Sequence, residues 1–574
     1  MSDTKADVLD MLRELSELTL LEEGNPQSFR VRAYDNAVQA IGTHATDLGR
    51  LSVKDLQKIP GVGKSTADKI VELLETGKVE KVELLRQRYP ERLRALLRIQ
   101  GLGPKAVLKL RSELQVESIE DLRRAIEEKK LRTVAGFGAK SEEKIGQALA
   151  RLEQEGALER RPISVALPHA ERILSELREV PGVSFATYCG SLRRFAETIG
   201  DIDLVVVSES PAAVMDAVVG LGQVDRVLAR GETKTSVVTR RGMQVDVRVV
   251  AAHQLGAALI YFTGSKSHNV KLRAHARERG WTLNEYALSE LDGGRVIASE
   301  SEEAIYHALG LAFIPPVLRE DSGEIEAARE GRLPRPMGKI LGDFHVHTTT
   351  SGDGRSTLEE MVATARSRGY AVLAITEHAE GTLSGVGREA LLEQRARIRA
   401  FSAEVPDLEL LHGVELNIGP GGELDYDPEY RKSFDFCVAS IHSHFELDKS
   451  AQTARLVSAM RDPSVRMIGH ISGRMIGGRP PIDLDLPTLF DTAEATHTAI
   501  EINGALPRLD ASVNTLRAAE GRAITFVLTS DAHETGELAL VDYAARNAER
   551  AWLDPERVAN TWSAERLRAW AHGK

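Results

Sequence analysis

The chain has 574 residues, too many for one hydrophobic core, and this length predicts several domains. The net charge is −11, and the only two cysteines, Cys189 and Cys437, exclude a disulfide-stabilised secreted scaffold and favour a cytoplasmic protein. No apolar run reaches membrane-spanning length, and the first residues predict an amphipathic helix rather than a signal peptide, so we expect no membrane partner.

The charge is divided unevenly along the chain. Residues 1–300 contain 45 Lys and Arg against 43 Asp and Glu, whereas residues 301–574 contain 29 against 42. Within residues 51–150 the balance is 21 against 15. Because an excess of cations favours binding to a phosphate backbone, we expect nucleic acid to bind the N-terminal half. The acidic excess is expected to belong to a separate C-terminal domain.

Three similar segments lie in the first 155 residues: "IPGVGKSTADKI" at 59–70, "IQGLGPKAVLKL" at 99–110 and "VAGFGAKSEEKI" at 134–145. Each has two glycines around an apolar residue, followed by a helical pattern. A helix that begins after such a turn offers free N–H groups to a phosphate, which is typical of helix-hairpin-helix DNA binding. The third segment is either such a motif or a structural connector. We predict backbone contacts from Gly61, Gly63, Lys64, Gly101, Gly103 and Lys105.

The strongest chemical pattern is "YCGSLRRFAETIGDIDLVV" at 188–206. In a strand, Asp201 and Asp203 point to the same face, and two carboxylates at that spacing suit Mg²⁺. A third candidate, Asp246, alternates with valines in "MQVDVRVV". Three strand-borne carboxylates can hold two metals for phosphoryl transfer, and the Gly190-Ser191 turn with Arg194 would then meet a triphosphate.

This pattern resembles the family X DNA polymerases of the nucleotidyltransferase superfamily. The resemblance continues in "RGETKTSVV" at 230–238 and in "YFTGSKSHNVKLRAHARERGWTLNEYAL" at 261–288, which is similar to that family's nucleotide-selecting subdomain. It implies that the three aspartates are the catalytic residues and bind Mg²⁺ or Mn²⁺. The implied nucleotide-binding residues are Arg160, Gly190, Ser191, Arg194, Gly200, Tyr261, Phe262, Gly264, Lys266 and Asn269. The implied contacts to the template are Arg248 and Arg273.

The same resemblance offers a second activity in the first repeat. Lys69 matches the lysine that serves as the lyase nucleophile in the vertebrate repair polymerase of this family, and Tyr34 matches a nearby pocket tyrosine. A lysine amine can form a Schiff base with a 5′-deoxyribose phosphate and release the sugar by β-elimination. The alternative is that Lys69 only neutralises phosphate, since Ser65 replaces an auxiliary lysine of that pocket.

The segment "REDSGEIEAAREGRLPRPMG" at 319–338 lacks apolar periodicity and predicts a linker. Beyond it, short apolar runs alternate with helical patterns, which favours a parallel α/β barrel with functional residues at the ends of its strands. Nine residues of ligand type follow these runs, and imidazoles mixed with carboxylates favour Zn²⁺, Mn²⁺ or Fe²⁺. They are His345, His347, Asp353, His378, Glu415, His442, His470, Asp531 and His533.

The second pattern resembles the PHP phosphoesterase domain, which implies a metal-dependent 3′→5′ exonuclease over residues 339–574. Three departures stand out: "SGDG" has one residue more than the usual S-D-G, Glu377 replaces an aspartate, and Ile471 replaces a proline. Because all nine ligand types are present, we expect an active site. His444 is an extra imidazole that we expect to contact phosphate or solvent.

The predicted fold class is multidomain α+β and α/β, with a helical helix-hairpin-helix region, a nucleotidyltransferase palm with a mixed sheet and a PHP (β/α)7-like barrel. The predicted domains are 1–85 (helical, lyase-like), 86–155 (second helical DNA-binding domain), 156–250 (palm), 251–318 (nucleotide-selecting), 319–338 (linker) and 339–574 (PHP).

The predicted function is template-directed gap-filling repair synthesis from dNTPs, with a linked 3′→5′ exonuclease. The expected partners are gapped or primer-template DNA and dNTPs, and the protein is expected to act as a nucleoid-associated monomer in the cytoplasm. Two alternatives stay open: a non-templated nucleotidyltransferase, and a polymerase whose PHP domain is a non-catalytic scaffold.

Overall fold

The computed structural model describes residues 4–25, 28–43, 51–59, 61–99, 102–155, 160–382 and 384–573. The prediction for Gly101 lies outside these ranges. The chain forms two compact units, Met1–Glu159 and Arg160–Lys574. In the part of the chain that the structure describes, no helix is long and apolar enough to cross a bilayer.

The first unit is helical, and one hydrophobic cluster forms its core, to which α1 contributes Leu12, Leu15 and Leu18 on one face. Its helices are α1 (Thr4–Glu23), α2 (Phe29–Thr43), α3 (Val53–Leu56), α4 (Lys64–Thr76), α5 (Glu80–Arg88), α6 (Glu91–Arg94), α7 (Pro104–Leu114), α8 (Ile119–Glu127) and α9 (Ala139–Glu155).

The three repeated segments adopt the same turn before α4, α7 and α9. In each, the residue between the two glycines donates its backbone N–H at 3.0 Å to an apolar residue three positions earlier: Val62 to Ile59, Leu102 to Ile99 and Phe137 to Val134. The third segment therefore has the same turn as the first two, followed by the longest helix of the three repeats, α9.

The palm of the second unit is a five-stranded mixed sheet in the order β2-β4-β7-β6-β5, in which β4 and β7 pair in parallel and the other neighbours pair antiparallel. Its elements are β1 (Arg161–Pro162), α10 (Ile163–Arg178), β2 (Val183–Tyr188), α11 (Gly190–Arg193), β3 (Thr198–Ile199), β4 (Asp201–Ser208), α12 (Pro211–Gly220), β5 (Val224–Arg230), β6 (Lys234–Thr239) and β7 (Gln244–Val250).

The nucleotide-selecting region follows the palm and packs in the same hydrophobic cluster through residues such as Leu272, Leu288 and Ile305. It contains a three-stranded sheet in the order β10-β9-β8. Its elements are α13 (Leu255–Thr263), α14 (Lys266–Arg277), β8 (Trp281–Leu283), β9 (Leu288–Glu290), β10 (Val296–Ala298) and α15 (Glu302–Ala308).

Residues 319–338, predicted as a linker, pack against the hydrophobic cluster of the palm through Ile325 and Ala328. This segment contains α16 (Glu324–Glu330), and Arg319 is completely buried. Arg319 pairs with Glu302 at 2.6 Å, and Glu302 also pairs with Arg193 at 2.6 Å. His268 holds the Glu324 carboxylate at 2.7 Å. Apolar periodicity does not detect these contacts, because Arg319 and Glu324 are charged residues that are buried as ion pairs.

The C-terminal part is a sheet of seven parallel strands in sequence order, as predicted for a (β/α)7-like barrel. A parallel bridge between Val346 and Ala532 brings the first and last strands together, so the barrel is nearly closed. Its strands are β11 (Gly342–Asp343), β12 (Val372–His378), β13 (Glu409–Asn417), β14 (Phe436–Ser440), β15 (Val465–Ile468), β16 (Ala499–Asn503) and β17 (Phe526–Thr529). The helices are α17 (Leu358–Ser367), α18 (Arg388–Ser402), α19 (Pro428–Arg431), α20 (Lys449–Arg461), α21 (Leu486–Thr496), α22 (Val513–Ala518), α23 (Val541–Arg550) and α24 (Ala564–His572).

The barrel and the palm share side-chain contacts. Arg474 of the barrel pairs with Glu197 of the palm at 2.9 and 3.1 Å, and Phe195 stacks on Tyr543 with ring centroids 5.5 Å apart. Leu509 of the barrel belongs to the palm's hydrophobic cluster. The palm, the nucleotide-selecting region and the barrel therefore fold as one compact unit.

The buried Arg193–Glu302–Arg319 cluster generates a stability prediction. Glu302→Gln should lower the free energy of unfolding of the second unit by about 3–5 kcal/mol, because it leaves two buried guanidinium groups without their carboxylate. Chemical denaturation measures this loss. Glu303→Gln, one residue along the same helix, is the matched control and should change little. Equal stability of the two variants would contradict a structural role for this cluster.

Two candidate metal centres

The three palm aspartates lie close together near the starts of the neighbouring strands β4 and β7. Asp203 on β4 lies directly opposite Asp246 on β7, with Asp201 two residues before it, and one carboxylate oxygen of each lies within 4.8 Å of the others. Ile202 and Leu204 are buried on the opposite face, as the alternation in the sequence predicts. The D-x-D spacing places Asp201 and Asp203 on one face, and the parallel pairing of β4 with β7 adds Asp246 to them.

The electrostatics of this cluster suit a cation. Burial, followed by repulsion from Asp201 and Asp246, raises the pKa of Asp203 to about 7. Burial and the charge of Asp246 also raise the pKa of Asp201. Carboxylates that repel one another are stabilised by a divalent cation, so the donor set fits the predicted Mg²⁺ or Mn²⁺.

Gly190 is required by the geometry of this centre. Its φ is +58°, and a Cβ at this position would collide with the carboxylate of Asp203. Gly190 begins α11, which carries Ser191 and is followed by Arg194. The predicted Gly-Ser turn therefore lies directly against the aspartates.

Two predicted phosphate-binding arginines are held by main-chain and side-chain acceptors. Arg194 donates from Nε to Glu320 at 3.0 Å and from Nη1 to the Thr263 carbonyl oxygen at 2.5 Å. Arg160 donates from Nε to the Thr198 hydroxyl at 3.0 Å and from Nη2 to the Thr198 carbonyl oxygen. The neighbouring Arg193, by contrast, belongs to the buried cluster with Glu302.

Gly200 precedes Asp201 and lies against Arg160. A Cβ at Gly200 would be 3.3 Å from Arg160 Nη1. Gly264, the residue after α13, is placed similarly, because a Cβ there would lie 3.2 Å from Arg194 Nη1. Each of these two glycines therefore lies against one of the two predicted phosphate-binding arginines.

Tyr261 and Phe262, which are predicted to contact the nucleotide, lie at the end of α13. Tyr261 is 40 % exposed, and its ring contacts Phe262 edge-on at 5.1 Å. Asn269 donates to the Tyr261 carbonyl oxygen at 2.8 Å, and Arg273 Nε donates to the Asn269 carbonyl oxygen at 3.2 Å. The guanidinium of Arg248 lies over the Phe262 ring at 5.4 Å. Lys266 is exposed at the start of α14.

Two palm residues near the aspartates were missed from the sequence. Lys234 on β6 places Nζ 3.8 Å from the Asp246 carboxylate, and Gln244 on β7 donates to the same carboxylate at 3.3 Å. Lys234 lies in "RGETK", a segment that the sequence analysis had already singled out, so register against β7 would have identified it.

In the first unit, Gly63 and Gly103 are the residues before α4 and α7, and neither helix has a side-chain cap on its N-terminus. Lys64 and Lys105 are exposed in the first turns of these helices. Gly61 lies two residues before Gly63 in the first turn. The predicted phosphate-binding positions are therefore accessible.

The lyase candidates are also placed in the first unit. Lys69 Nζ donates to the Ser65 hydroxyl at 2.8 Å and to the Ser65 carbonyl oxygen at 3.0 Å, and burial lowers the pKa of the amine. Tyr34 is buried on α2, and burial raises the pKa of its hydroxyl.

The nine predicted ligands of the barrel come together around Glu415. Its carboxylate lies 2.7 Å from His378 Nδ1, 3.1 Å from His470 Nε2 and 3.2 Å from His442 Nε2. His345 Nε2 lies 3.3 Å away. A carboxylate shared by this many imidazoles is placed to bridge metal ions.

The other ligands complete the same cluster. Asp531 lies 3.4 Å from His347 Nε2 and 3.7 Å from His345 Nε2. Asp353 lies 3.2 Å from His378 Nε2 and 3.6 Å from His533 Nε2, so the extra residue of "SGDG" does not displace it. His444 is exposed, with Nδ1 3.5 Å from Glu446, and belongs to none of the ligand groups found among the described residues.

The charges of this cluster also fit a metal centre. Burial alone would raise the pKa of Glu415, but His442, His345 and His378 lower it well below its usual range. Burial lowers the pKa of His347 to about 3. His345 Nε2 and His347 Nε2 are buried, and neither makes a hydrogen bond of good geometry to a described residue. Unsatisfied ligand atoms of these types fit Mn²⁺, Zn²⁺ or Fe²⁺.

Partners behind the ligands were missed from the sequence. Glu501 on β16 holds His345 Nδ1 at 2.6 Å, and Asn417 holds His442 Nδ1 at 2.6 Å. Such contacts orient the ring nitrogens that face a metal. Glu501 follows a strand-like run, but nothing in its spacing separated it from a structural acid.

Four family models match the chain. They are a helix-hairpin-helix domain at 3–79, a SAM-like helix-hairpin-helix tandem at 93–151, the DNA polymerase beta thumb at 258–320 and the PHP domain at 343–495. The chain is 35 % identical to the DNA polymerase/3′-5′ exonuclease PolX of Bacillus subtilis over 570 residues, which covers 99 % of each chain. The chain belongs to the PolX family.

Two other relatives match only part of the chain. Rat DNA polymerase lambda is 26 % identical over 51 % of this chain and 52 % of its own length. A probable phosphatase of Shewanella sediminis is 27 % identical over 39 % of this chain and 90 % of its own length. The resemblances to family X polymerases and to the PHP domain are therefore confirmed.

The raised pKa of Asp203 predicts how metal-free stability depends on pH. Because the folded pKa of about 7 exceeds the ordinary value of 3.8, the wild type should lose stability as the pH rises from about 4 to 7. Asp203→Asn removes this charge, so at pH 8 with chelator it should be more stable than the wild type by roughly 1–3 kcal/mol. The difference should shrink towards pH 4.

Denaturation of both proteins across this pH range, with and without Mg²⁺, measures the effect. Mg²⁺ should stabilise the wild type more than the variant. Asp216→Asn, at an exposed position of the palm, is the matched control. An Asp203→Asn protein that is less stable than the wild type at pH 8 would show that the carboxylate is not under electrostatic strain.

Proposed function

We infer that this protein is a DNA polymerase with a 3′→5′ exonuclease, and we propose that it fills gaps in DNA under repair. The carrying observation is the cluster of Asp201, Asp203 and Asp246 beside a glycine turn and two arginines. We further propose that it acts as a monomer on gapped or primer-template DNA at the nucleoid.

In the proposed polymerase reaction, a primer 3′-OH attacks the α-phosphate of a dNTP and pyrophosphate leaves. The three aspartates would hold Mg²⁺ or Mn²⁺, which would supply charge stabilisation at the reacting phosphate. Arg194 and Arg160 would bind the triphosphate through charge-assisted hydrogen bonds. This arrangement supports catalysis by positioning and electrostatics, without a covalent intermediate on the protein.

Substrate selection is proposed for the end of α13. The exposed ring of Tyr261, with Phe262 beside it, would pack against the sugar and leave no room for a 2′-hydroxyl. Asn269 and Arg273, which are linked to Tyr261 through hydrogen bonds, would face the nascent base pair and the template. Sugar selection at the end of α13 and base-pair contact from α14 would thus lie side by side.

DNA binding is proposed for the repeated turns of the first unit. The uncapped N-termini of α4 and α7 would donate backbone N–H groups to phosphates, with Lys64 and Lys105 adding charge. Such contacts hold a DNA backbone without selecting a sequence, as gap filling requires.

The barrel is proposed to be the exonuclease. Its nine ligands would hold Mn²⁺, Zn²⁺ or Fe²⁺, which would supply Lewis acidity for phosphodiester hydrolysis. Glu415 and Asp531 would contribute the negative charge that retains the metals. Glu501 and Asn417 would fix the orientation of two imidazoles. The close grouping of these ligand-type side chains, with His345, His347, Glu415 and His470 buried, supports catalysis over a scaffold role.

The two activities should be separable by mutation. Asp203→Ala should abolish primer extension by removing a metal ligand and leave degradation of the primer intact. The double variant His345→Ala/His347→Ala should lose Mn²⁺-dependent 3′→5′ degradation and still extend primers, with longer products. A labelled primer-template with and without dNTPs displays both activities.

Three outcomes of that assay decide between the alternatives. Addition that ignores the template would support a non-templated nucleotidyltransferase. Unchanged degradation in the double histidine variant would contradict the barrel assignment. Loss of degradation in Asp203→Ala would show that both activities depend on the palm centre.

We also propose a 5′-deoxyribose phosphate lyase in the first unit, because burial lowers the pKa of Lys69 and thereby increases its neutral, nucleophilic fraction. The amine would attack C1′ of the open sugar and lose water to form a Schiff base. β-Elimination would then release the sugar and leave a 5′-phosphate on the DNA.

Borohydride reduction tests this proposal by trapping the Schiff base. The wild type should form a covalent adduct with DNA that carries a 5′-deoxyribose phosphate, and Lys69→Ala should lose at least about nine tenths of it. Lys78→Ala is the matched control, since Lys78 is exposed just after the same helix and has no proposed contact with DNA. Equal trapping by Lys69→Ala would exclude Lys69 as the nucleophile.

A further inference from the structure

Arg508 is a cation at the barrel centre that none of the preceding roles uses. It follows β16, and its Nε lies 3.7 Å from Asp531 Oδ2. The side chain is only 20 % exposed. Its Nη1 atom is buried and makes no hydrogen bond to any residue in the part of the chain that the structure describes. A buried guanidinium nitrogen without an acceptor is costly, so Nη1 is free to donate to a ligand beside the metal centre.

The neighbouring Arg474 shows what a structural arginine looks like at this place. It pairs with Glu197 through two nitrogens, at 2.9 and 3.1 Å, so its charge is neutralised. Arg474 Nε also donates to the Arg508 carbonyl oxygen at 2.8 Å. The main chain at Arg508 is therefore held firmly, while its guanidinium has only the single distant contact with Asp531.

A second cation, Arg479, lies near enough to Arg508 for the two charges to interact. Arg479 stacks on the Phe445 ring at 3.7 Å and donates from Nε to the Gly473 carbonyl oxygen at 2.7 Å. Burial, followed by the charge of Arg508, lowers the pKa of Arg479. Two guanidinium groups that repel each other are both favoured by an anion between them.

We propose that Arg508 is a catalytic residue of the exonuclease and binds the scissile phosphodiester through Nη1. The proposal rests on the assignment of the barrel as the nuclease. Hydrolysis forms a bond between a water oxygen and phosphorus and breaks the bond from phosphorus to the O3′ of the preceding nucleotide. One water proton goes to that O3′, and a nucleoside 5′-monophosphate leaves. Arg508 stabilises the charge that develops on a non-bridging oxygen, and Arg479 lies within reach of the adjoining phosphate.

Arg508→Gln in the full chain tests this role. We expect degradation of a labelled primer to slow by about a hundredfold or more, as for loss of one donor to a developing oxyanion. The inhibition constant of inorganic phosphate against the residual degradation should rise at least about tenfold. The content of bound metal and the rate of primer extension should stay at wild-type values.

Arg508→Lys keeps the charge but not the fork, and it should recover part of the rate. Arg522→Gln, at a partly exposed barrel arginine that pairs with Asp491 and Glu494, is the matched control and should behave as the wild type. Arg508→Lys also keeps the test valid should Arg508→Gln fail to fold.

Two results would overturn the proposal. Unchanged degradation and phosphate inhibition in Arg508→Gln would exclude phosphate binding. Lost metal content with unchanged phosphate inhibition would assign Arg508 to holding Asp531 in place. Neither result touches the nuclease assignment, which fails only if the double variant of His345 and His347 still degrades DNA.

Discussion

Both centres depend on one constraint, the cost of removing acidic groups from water while placing them side by side. Asp203 shows the cost directly, since burial and its two neighbours raise its pKa to about 7. Glu415 shows the opposite solution, because surrounding imidazoles lower its pKa although it is fully buried. The palm centre thus gathers like charges that need a cation, whereas the barrel centre already balances its carboxylates with protonatable rings. This difference fits hard Mg²⁺ in the first site and transition metals in the second.

Buried ion pairs connect the parts of the second unit. Arg319, in the segment predicted as a linker, is neutralised by Glu302. Glu302 also holds Arg193, which follows the Gly190-Ser191 turn. Glu197 of the palm holds Arg474, which in turn fixes the main chain at the edge of the nuclease centre. Ion pairs of this kind seldom add much net stability, but breaking one strands a buried charge. Their main effect is therefore to disfavour other arrangements of the palm and the barrel, and they add little to the free energy of unfolding.

Much of both sites could be predicted because their chemistry follows strand periodicity. Asp201 and Asp203 share a face at a spacing of two, and the His345-x-His347 pair does so on the first barrel segment. What the sequence could not reveal were contacts set by register between distant strands, such as Lys234 against Asp246 and Glu501 against His345. These residues have no local pattern of their own, because their roles arise only when the sheets assemble.

Two of the three departures in the barrel motif, Glu377 and the longer loop, contact each other. Glu377 accepts hydrogen bonds from the Thr348 hydroxyl at 2.5 Å, the Ser351 hydroxyl at 2.6 Å and the Gln394 amide at 2.5 Å. Ser351 in turn accepts from the backbone N–H of His378 at 3.2 Å. Glutamate is one methylene longer than aspartate, and the loop that it anchors is one residue longer than the usual motif. Because the two changes lie against each other, the longer side chain reaches the longer loop, and Asp353 at its far end still meets His378.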